Sequence, residues 1–192
     1  MNQPKNETET HFLLKEVGKY VLWSWGFTML ASEVNGMYSC EDIARPRNKN
    51  MKNIIDVVGL KKVRLGKTWN DPMGYEMRGI EAKASYSDFK NGFCVAPRNT
   101  YIIAPVGIIP LDELPDKIGL LEVDFNILKI YKQINKVNID GVNVTRRAKK
   151  RNDKRFGSDD QYQSFCRATL ESIAYQSSRE NLFWRNAIDF SS

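Results

Sequence analysis

The chain has 192 residues, 42% hydrophobic and 27% charged, with 29 Lys and Arg against 23 Asp and Glu. That is ordinary globular make-up, long enough for one buried core, and the net charge of +6 is a modest basic bias that suits a polyanion partner. Three widely spaced cysteines with no CxxC pair exclude a disulfide framework and a zinc knuckle.

In chain order, residues 1–10 are polar, lack an apolar signal region and read as a mobile tail. Phe12, Leu13, Val17, Val21 and Leu22 fall at helical spacing, so residues 11–25 are predicted to form an amphipathic helix. Residues 27–34 are predicted to be a strand, and 35–52, rich in Asn, Arg and Lys, a loop. The nearly continuous apolar run 53–60 has the pattern of a strand buried on both faces. Residues 61–77 read as a hairpin excursion or loop, followed by a strand at 78–84. Ser85-x-x-Asp88 matches a capping box opening a short helix over 86–92. Residues 99–104 form the next predicted strand, 105–117 a proline-rich connection, and 118–124 another strand, read as an outer one with Glu122 and Asp124 on its solvent-facing side. The stretch 101–111 is the longest apolar-leaning run, and Pro105 and Pro110 break it well short of a bilayer span. Residues 126–144 have no clear period. Ser158 opens a helix striped by Tyr162, Phe165, Cys166, Thr169, Leu170 and Ile173, and Ser177-x-x-Glu180 marks a last short helix. The order predicts an α/β sandwich with a mixed central sheet.

Few residues carry chemistry. Asp56 lies inside Ile54-Ile55-Asp56-Val57-Val58, where a carboxylate is costly to bury unless paired or bound to a metal. The plain alternative places it at a strand end against solvent or an arginine. Glu81 and Lys83 flank Ala82, so on a strand both point to one face, expected to line a cleft, while Ile80, Ala82 and Ala84 pack inwards. The plain alternative there is a surface ion pair. Glu33 is either a third acid aimed at the same place or an exposed strand-end carboxylate. Ser85 and Asp88 fit a helix cap best. His11 is the sole histidine, so a Ser/His, Cys/His or zinc mechanism lacks parts, and no glycine-rich phosphate loop is present. A general base would then come from a carboxylate, a lysine or metal-bound water. Residues 146–155 hold seven basic side chains and one acid. Of these, Arg146, Arg147, Lys149, Lys150, Arg151, Lys154 and Arg155 are candidate phosphate contacts.

Asp56, then Glu81-x-Lys83, then a helix and a strand, resembles the PD-(D/E)xK nuclease superfamily. Gly79-Ile80-Glu81-Ala82-Lys83-Ala84-Ser85-Tyr86-Ser87-Asp88-Phe89, with the 101–110 and 113–123 segments, is similar to its MmcB-type branch of DNA-repair and nuclease-like proteins. The likeness covers about residues 11–125. It implies a restriction-endonuclease-like αβββαβ core over 11–125; residues 126–192 lie outside the likeness and are read from their own pattern as a basic segment and helical C-terminal extension packed on that core. It further implies Mg2+ or Mn2+ held by Asp56, Glu81 and the Ala82 carbonyl, less securely by Glu33, with Lys83 activating water or stabilising the phosphate. The implied partner is DNA, in repair or in phage or mobile-element defence, and pairing as a homodimer to cut both strands is common in the superfamily. A membrane and a small-molecule cofactor are not expected, and the implied setting is the cytoplasm of a bacterium or a phage-encoded origin. Some members keep the fold and bind without cutting, so a non-catalytic DNA-binding or protein-inhibitor module is the alternative. One departure is the short segment between Phe89 and Tyr101, which lacks the longer basic and aromatic stretch associated with the branch.

Overall fold

The computed structural model describes residues 8–35, 54–133, 136–150 and 158–179. The first helix, α1, runs Glu9–Ser24. It starts where Thr8 accepts the His11 N–H at 3.3 Å, with Glu9 in the first turn where the helix dipole favours an acid. It stops at Gly26, whose φ of +83° suits a residue without Cβ. Gly26 N–H donates to Trp23 and Phe27 N–H to Leu22, the paired bonds of a Schellman motif.

Strands β1 (Met29–Asn35), β2 (Ile54–Arg64) and β3 (Met73–Ala82) form an antiparallel meander. The short helix α2 (Tyr86–Lys90) leads to β4 (Thr100–Pro105), parallel to β3, and β5 (Gly119–Val123) is parallel to β4. Strands β6 (Lys129–Gln133) and β7 (Lys136–Asp140) make a separate hairpin. Strand β8 (Val142–Arg146) then adds antiparallel to β5. The sheet order is β1-β2-β3-β4-β5-β8, and α3 spans Asp159–Arg179.

Leu14, Val17 and Val21 of α1 pack on one sheet face against Val57, Ile80, Ala82 and Ile103. On the other face Tyr162, Cys166 and Ile173 of α3 pack against Val58, Leu60 and Met77. Phe89 and Phe93 cover Ile102, Ala104 and Leu120 farther along that sheet. The mixed α/β sandwich expected from sequence is therefore present.

Four expectations change. Residues 61–64 and 73–77 continue β2 and β3, because backbone pairing from Lys61–Glu76 to Arg64–Met73 extends the hairpin beyond its apolar part. Residues 129–146 form three strands rather than a helical extension, and β8 joins the main sheet, so a boundary at 125 would cut through it. Strand β5 is an inner strand, and Glu122 on it accepts from Gly107 N–H at 2.8 Å and from Thr145 at 2.5 Å. Finally, α3 runs through Ser177 without a break there, and the rest of the last predicted helix lies outside the described residues.

Candidate active site

The site begins with a defect in the β1–β2 ladder. Pairing is continuous from Met29–Leu60 to Ser32–Val57 and resumes at Val34–Ile55, but the rung between, Glu33 opposite Asp56, is not made. Glu33 sits there at a φ of +55°, a left-handed conformation that costs a non-glycine residue about 1–2 kcal/mol. Strand β2 turns over at the same point. Ile55 and Val58 pack on the α3 face while Val57 packs on the α1 face, which simple alternation forbids.

The defect releases Asp56 from the ladder. Its Oδ2 accepts the Ala82 N–H at 2.8 Å, just past the last β2–β3 pair, Val57–Ile80. A strand residue's N–H and C=O point the same way, so the Ala82 carbonyl is also directed towards β2. His11 on the first turn of α1 places Nε2 3.5 Å from the same Asp56 oxygen. Burial pushes the Asp56 carboxyl up. The hydrogen bond and charge of His11, the Ala82 N–H and the Lys83 ammonium together pull it down further, so it lies below its ordinary range. Asp56 is thus an anion at neutral pH.

Glu81 and Lys83 do share one face, as the spacing predicts, but they do not line an open cleft. Glu81 is 0% exposed and Lys83 3%. The Lys83 Nζ lies 3.4 Å from Glu81 Oε1 and 3.5 Å from Asp88 Oδ1. Glu81 Oε1 also accepts the Cys94 N–H at 3.3 Å. The reason for burial is the segment 93–96, which folds over this end of β3; Gly79 allows the close approach of Ala96. Ser85 caps α2 by accepting the Asp88 N–H at 3.2 Å, the forward half of the capping box, while the return bond to the Asp88 carboxylate comes from the residue before the cap. Asp88 has two further jobs, accepting Ala84 N–H at 3.2 Å and facing Lys83.

Glu33 goes elsewhere: its carboxylate meets Lys15 Nζ at 2.9 Å. Among the described residues no three His, Cys, Asp or Glu side chains gather closely enough to hold a metal ion. The two carboxylates expected to hold a metal, Asp56 and Glu81, are both near Lys83, and Asp56 meets the backbone between Glu81 and Lys83 at Ala82. Ionised carboxylates are the ligands Mg2+ takes, one or two at a time.

The basic run divides. Arg146 is not a phosphate contact: its guanidinium donates to the carbonyls of Leu111, Leu114, Pro115 and Ile118, pinning the proline-rich connection to β8. Arg147, Lys149 and Lys150 are exposed, while Arg151, Lys154 and Arg155 lie outside the described residues.

Sequence reasoning missed His11 because it looked for a second histidine rather than a carboxylate partner. The signal was there. His11 precedes Leu14 by three residues and Gly18 by seven, on the helix face that Leu14 and Gly18 turn to the sheet. The Asp88–Lys83 contact was hidden by the cap, which explains Asp88 sufficiently on its own. Comparison with known proteins finds no matching family model, no matching curated protein and no matching solved structure.

Proposed function

We propose that the chain is a metal-dependent nuclease acting on DNA, built on a restriction-endonuclease-like core. The observation that carries this reading is the meeting of Asp56 with the Ala82 N–H, where β2 and β3 part, beside Glu81 and Lys83. The order α1-β1-β2-β3-α2-β4, with β4 parallel to β3, agrees with the core expected of that superfamily. Asp56, Glu81 and the Ala82 carbonyl would hold Mg2+ or Mn2+, which supplies Lewis-acid charge for phosphodiester hydrolysis.

The chain's own residues then have defined tasks. His11 and the Ala82 N–H fix the Asp56 carboxylate in its ionised form and in one orientation. Lys83 adds a positive charge beside the developing phosphorane, where a preorganised cation acts most strongly because water is excluded. Asp88 and Glu81 hold the Lys83 ammonium between them.

The test is cleavage of plasmid and branched DNA in Mg2+ and Mn2+ by the wild-type chain and by Asp56→Ala, Glu81→Ala and Lys83→Ala, each checked for folding. Cleavage falls at least about 100-fold in each variant, the usual cost of losing one electrostatic stabiliser. Unchanged cleavage by folded Lys83→Ala protein rules out this mechanism. The covering of the Glu81–Lys83 pair favours one rival, a module that binds DNA without cutting it. Salt-sensitive binding in EDTA with no cleavage in either metal selects that rival.

A further inference from the structure

The β2–β3 hairpin runs on past β1, whose pairing begins at Met29–Leu60, and so extends as an arm built from residues 61–76. Residues 61–72 carry Lys61, Lys62, Arg64 and Lys67 against the single acid Asp71. At the tip stands Trp69, 86% exposed. A single exposed aromatic is common on a protein surface, and its meaning here comes from what surrounds it.

The exposure is imposed by a tightly tied loop. Leu65 N–H donates to Pro72 at 3.0 Å, Thr68 N–H to the Asp71 carboxylate at 2.5 Å, and Asp71 N–H back to Thr68 at 3.2 Å. Arg64 donates to the Trp69 carbonyl, and its guanidinium lies 4.5 Å from the centre of the indole ring. One ring face is therefore backed by a cation while the side chain as a whole is open to solvent. Lys62 and Lys67 are exposed on the same arm. At the base of the arm Arg78 lies over both Trp25 and Phe27, and Lys61 over Phe27, with Glu76 ion-paired to both cations. Among the described residues the unpaired charge of the arm therefore lies towards its tip.

We propose that the arm of residues 61–76 binds single-stranded nucleic acid, with Trp69 stacking on an unpaired base and Lys62 and Lys67 contacting phosphates. A stacking face beside basic side chains is the chemistry that recognises unpaired bases, since every base has a π-face and every linkage a charge. Eight residues of β2 separate Asp56 from Arg64, about 26 Å at the strand rise, so the arm contacts nucleic acid well away from the carboxylates. The surface deepens the nuclease reading by naming an unpaired segment as part of the substrate, yet its binding requires no metal.

The experiment is fluorescence anisotropy in EDTA with labelled oligothymidylate longer than about 16 nucleotides, enough for a single-strand site. The wild-type chain, Trp69→Ala, Trp69→Phe and Lys62→Ala/Lys67→Ala are compared. Trp69→Ala weakens binding about 5- to 150-fold, the loss of one base–aromatic stack, and Trp69→Phe recovers most of it. The double lysine variant lowers the slope of log affinity against log salt by about 1.4. Binding is read in EDTA, where metal-dependent cleavage does not occur, so a failure of cleavage and a failure of the arm are separable. Equal affinity of Trp69→Ala and wild type overturns the proposal. So does binding to phosphatidylserine–phosphatidylcholine vesicles, lost in Trp69→Ala, without binding to the oligonucleotide.

Discussion

Lys83→Met is the most searching perturbation of the site, because it tests burial and electrostatics together. Lys83 and Glu81 are 3% and 0% exposed and 3.4 Å apart. Removing the ammonium takes a cation away from the buried Glu81 carboxylate, whose Oε1 also accepts the Cys94 N–H at 3.3 Å. Breaking a buried pair in this one-sided way costs about 3–5 kcal/mol. With a urea slope of about 3 kcal/mol per M, a loss of about 4 kcal/mol lowers the unfolding midpoint by about 1.3 M. Replacing both residues, as Glu81→Leu/Lys83→Met, recovers most of that loss, since an apolar pair removes the desolvation cost as well as the attraction. The exposed pair Lys90–Glu113, at 2.8 Å, is the internal control, and Lys90→Met costs less than about 1 kcal/mol. The assay is urea unfolding followed by far-UV circular dichroism for all four proteins. A Lys83→Met midpoint within about 0.3 M of wild type refutes the reasoning, because it means the carboxylate reaches water or a proton at little cost.

Four further outcomes are expected. His11→Ala removes the strongest influence lowering the Asp56 carboxyl, so Asp56 titrates at higher pH in the variant than in the wild type, as followed by its side-chain carbon resonance in NMR; an unmoved titration contradicts the pairing. Gly79→Ala puts a Cβ 2.5 Å from Ala96 Cβ and closer still to Ile55, so overpacking costs about 1–3 kcal/mol in urea unfolding and also reduces cleavage, because the 93–96 segment carries the Cys94 N–H that holds Glu81. Burial pushes the Cys166 thiol up to about 11 and raises Tyr162 as well. The unfolded chain ionises these groups first, so stability falls as pH rises from about 9 towards 11, and Cys166→Ala flattens part of that fall in unfolding midpoints taken across the range. In the native protein at pH 8 Cys166 resists iodoacetamide, read by peptide mass spectrometry.

Much of the frame was legible because local rules decide it. The stripe at Phe12, Leu13, Val17, Val21 and Leu22 placed α1, although the face it buries begins at Leu14, and Ser85-x-x-Asp88 placed α2 at its cap. Glu81 and Lys83 fell on one side because the extended backbone carries on one residue past the end of β3 at Ala82, where Lys83 N–H still donates to Ile103. The failures are those of long-range order. Residues 129–146 are mostly exposed strands with little alternation, so only pairing partners distant in sequence identify them as strands. Arg146 looked like one more charge in a basic run, and its four carbonyl partners come from residues 28 to 35 positions earlier. The burial of Glu81 could not be seen because the covering segment 93–96 is itself apolar for reasons of its own core.

The unmade rung between Glu33 and Asp56 has a kinetic consequence. Its two side chains are taken up by Lys15 and His11, which stand one turn apart on α1. A β1–β2 hairpin forming alone has no such partners, so regular pairing through that rung is its better local state. The ladder can open there only once α1 docks and supplies both partners. Substitutions at His11 and Lys15 therefore act after the folding nucleus has formed: they speed unfolding and leave the refolding rate nearly unchanged. The carboxylate at the centre of the site is thus among the last groups in the molecule to reach its place.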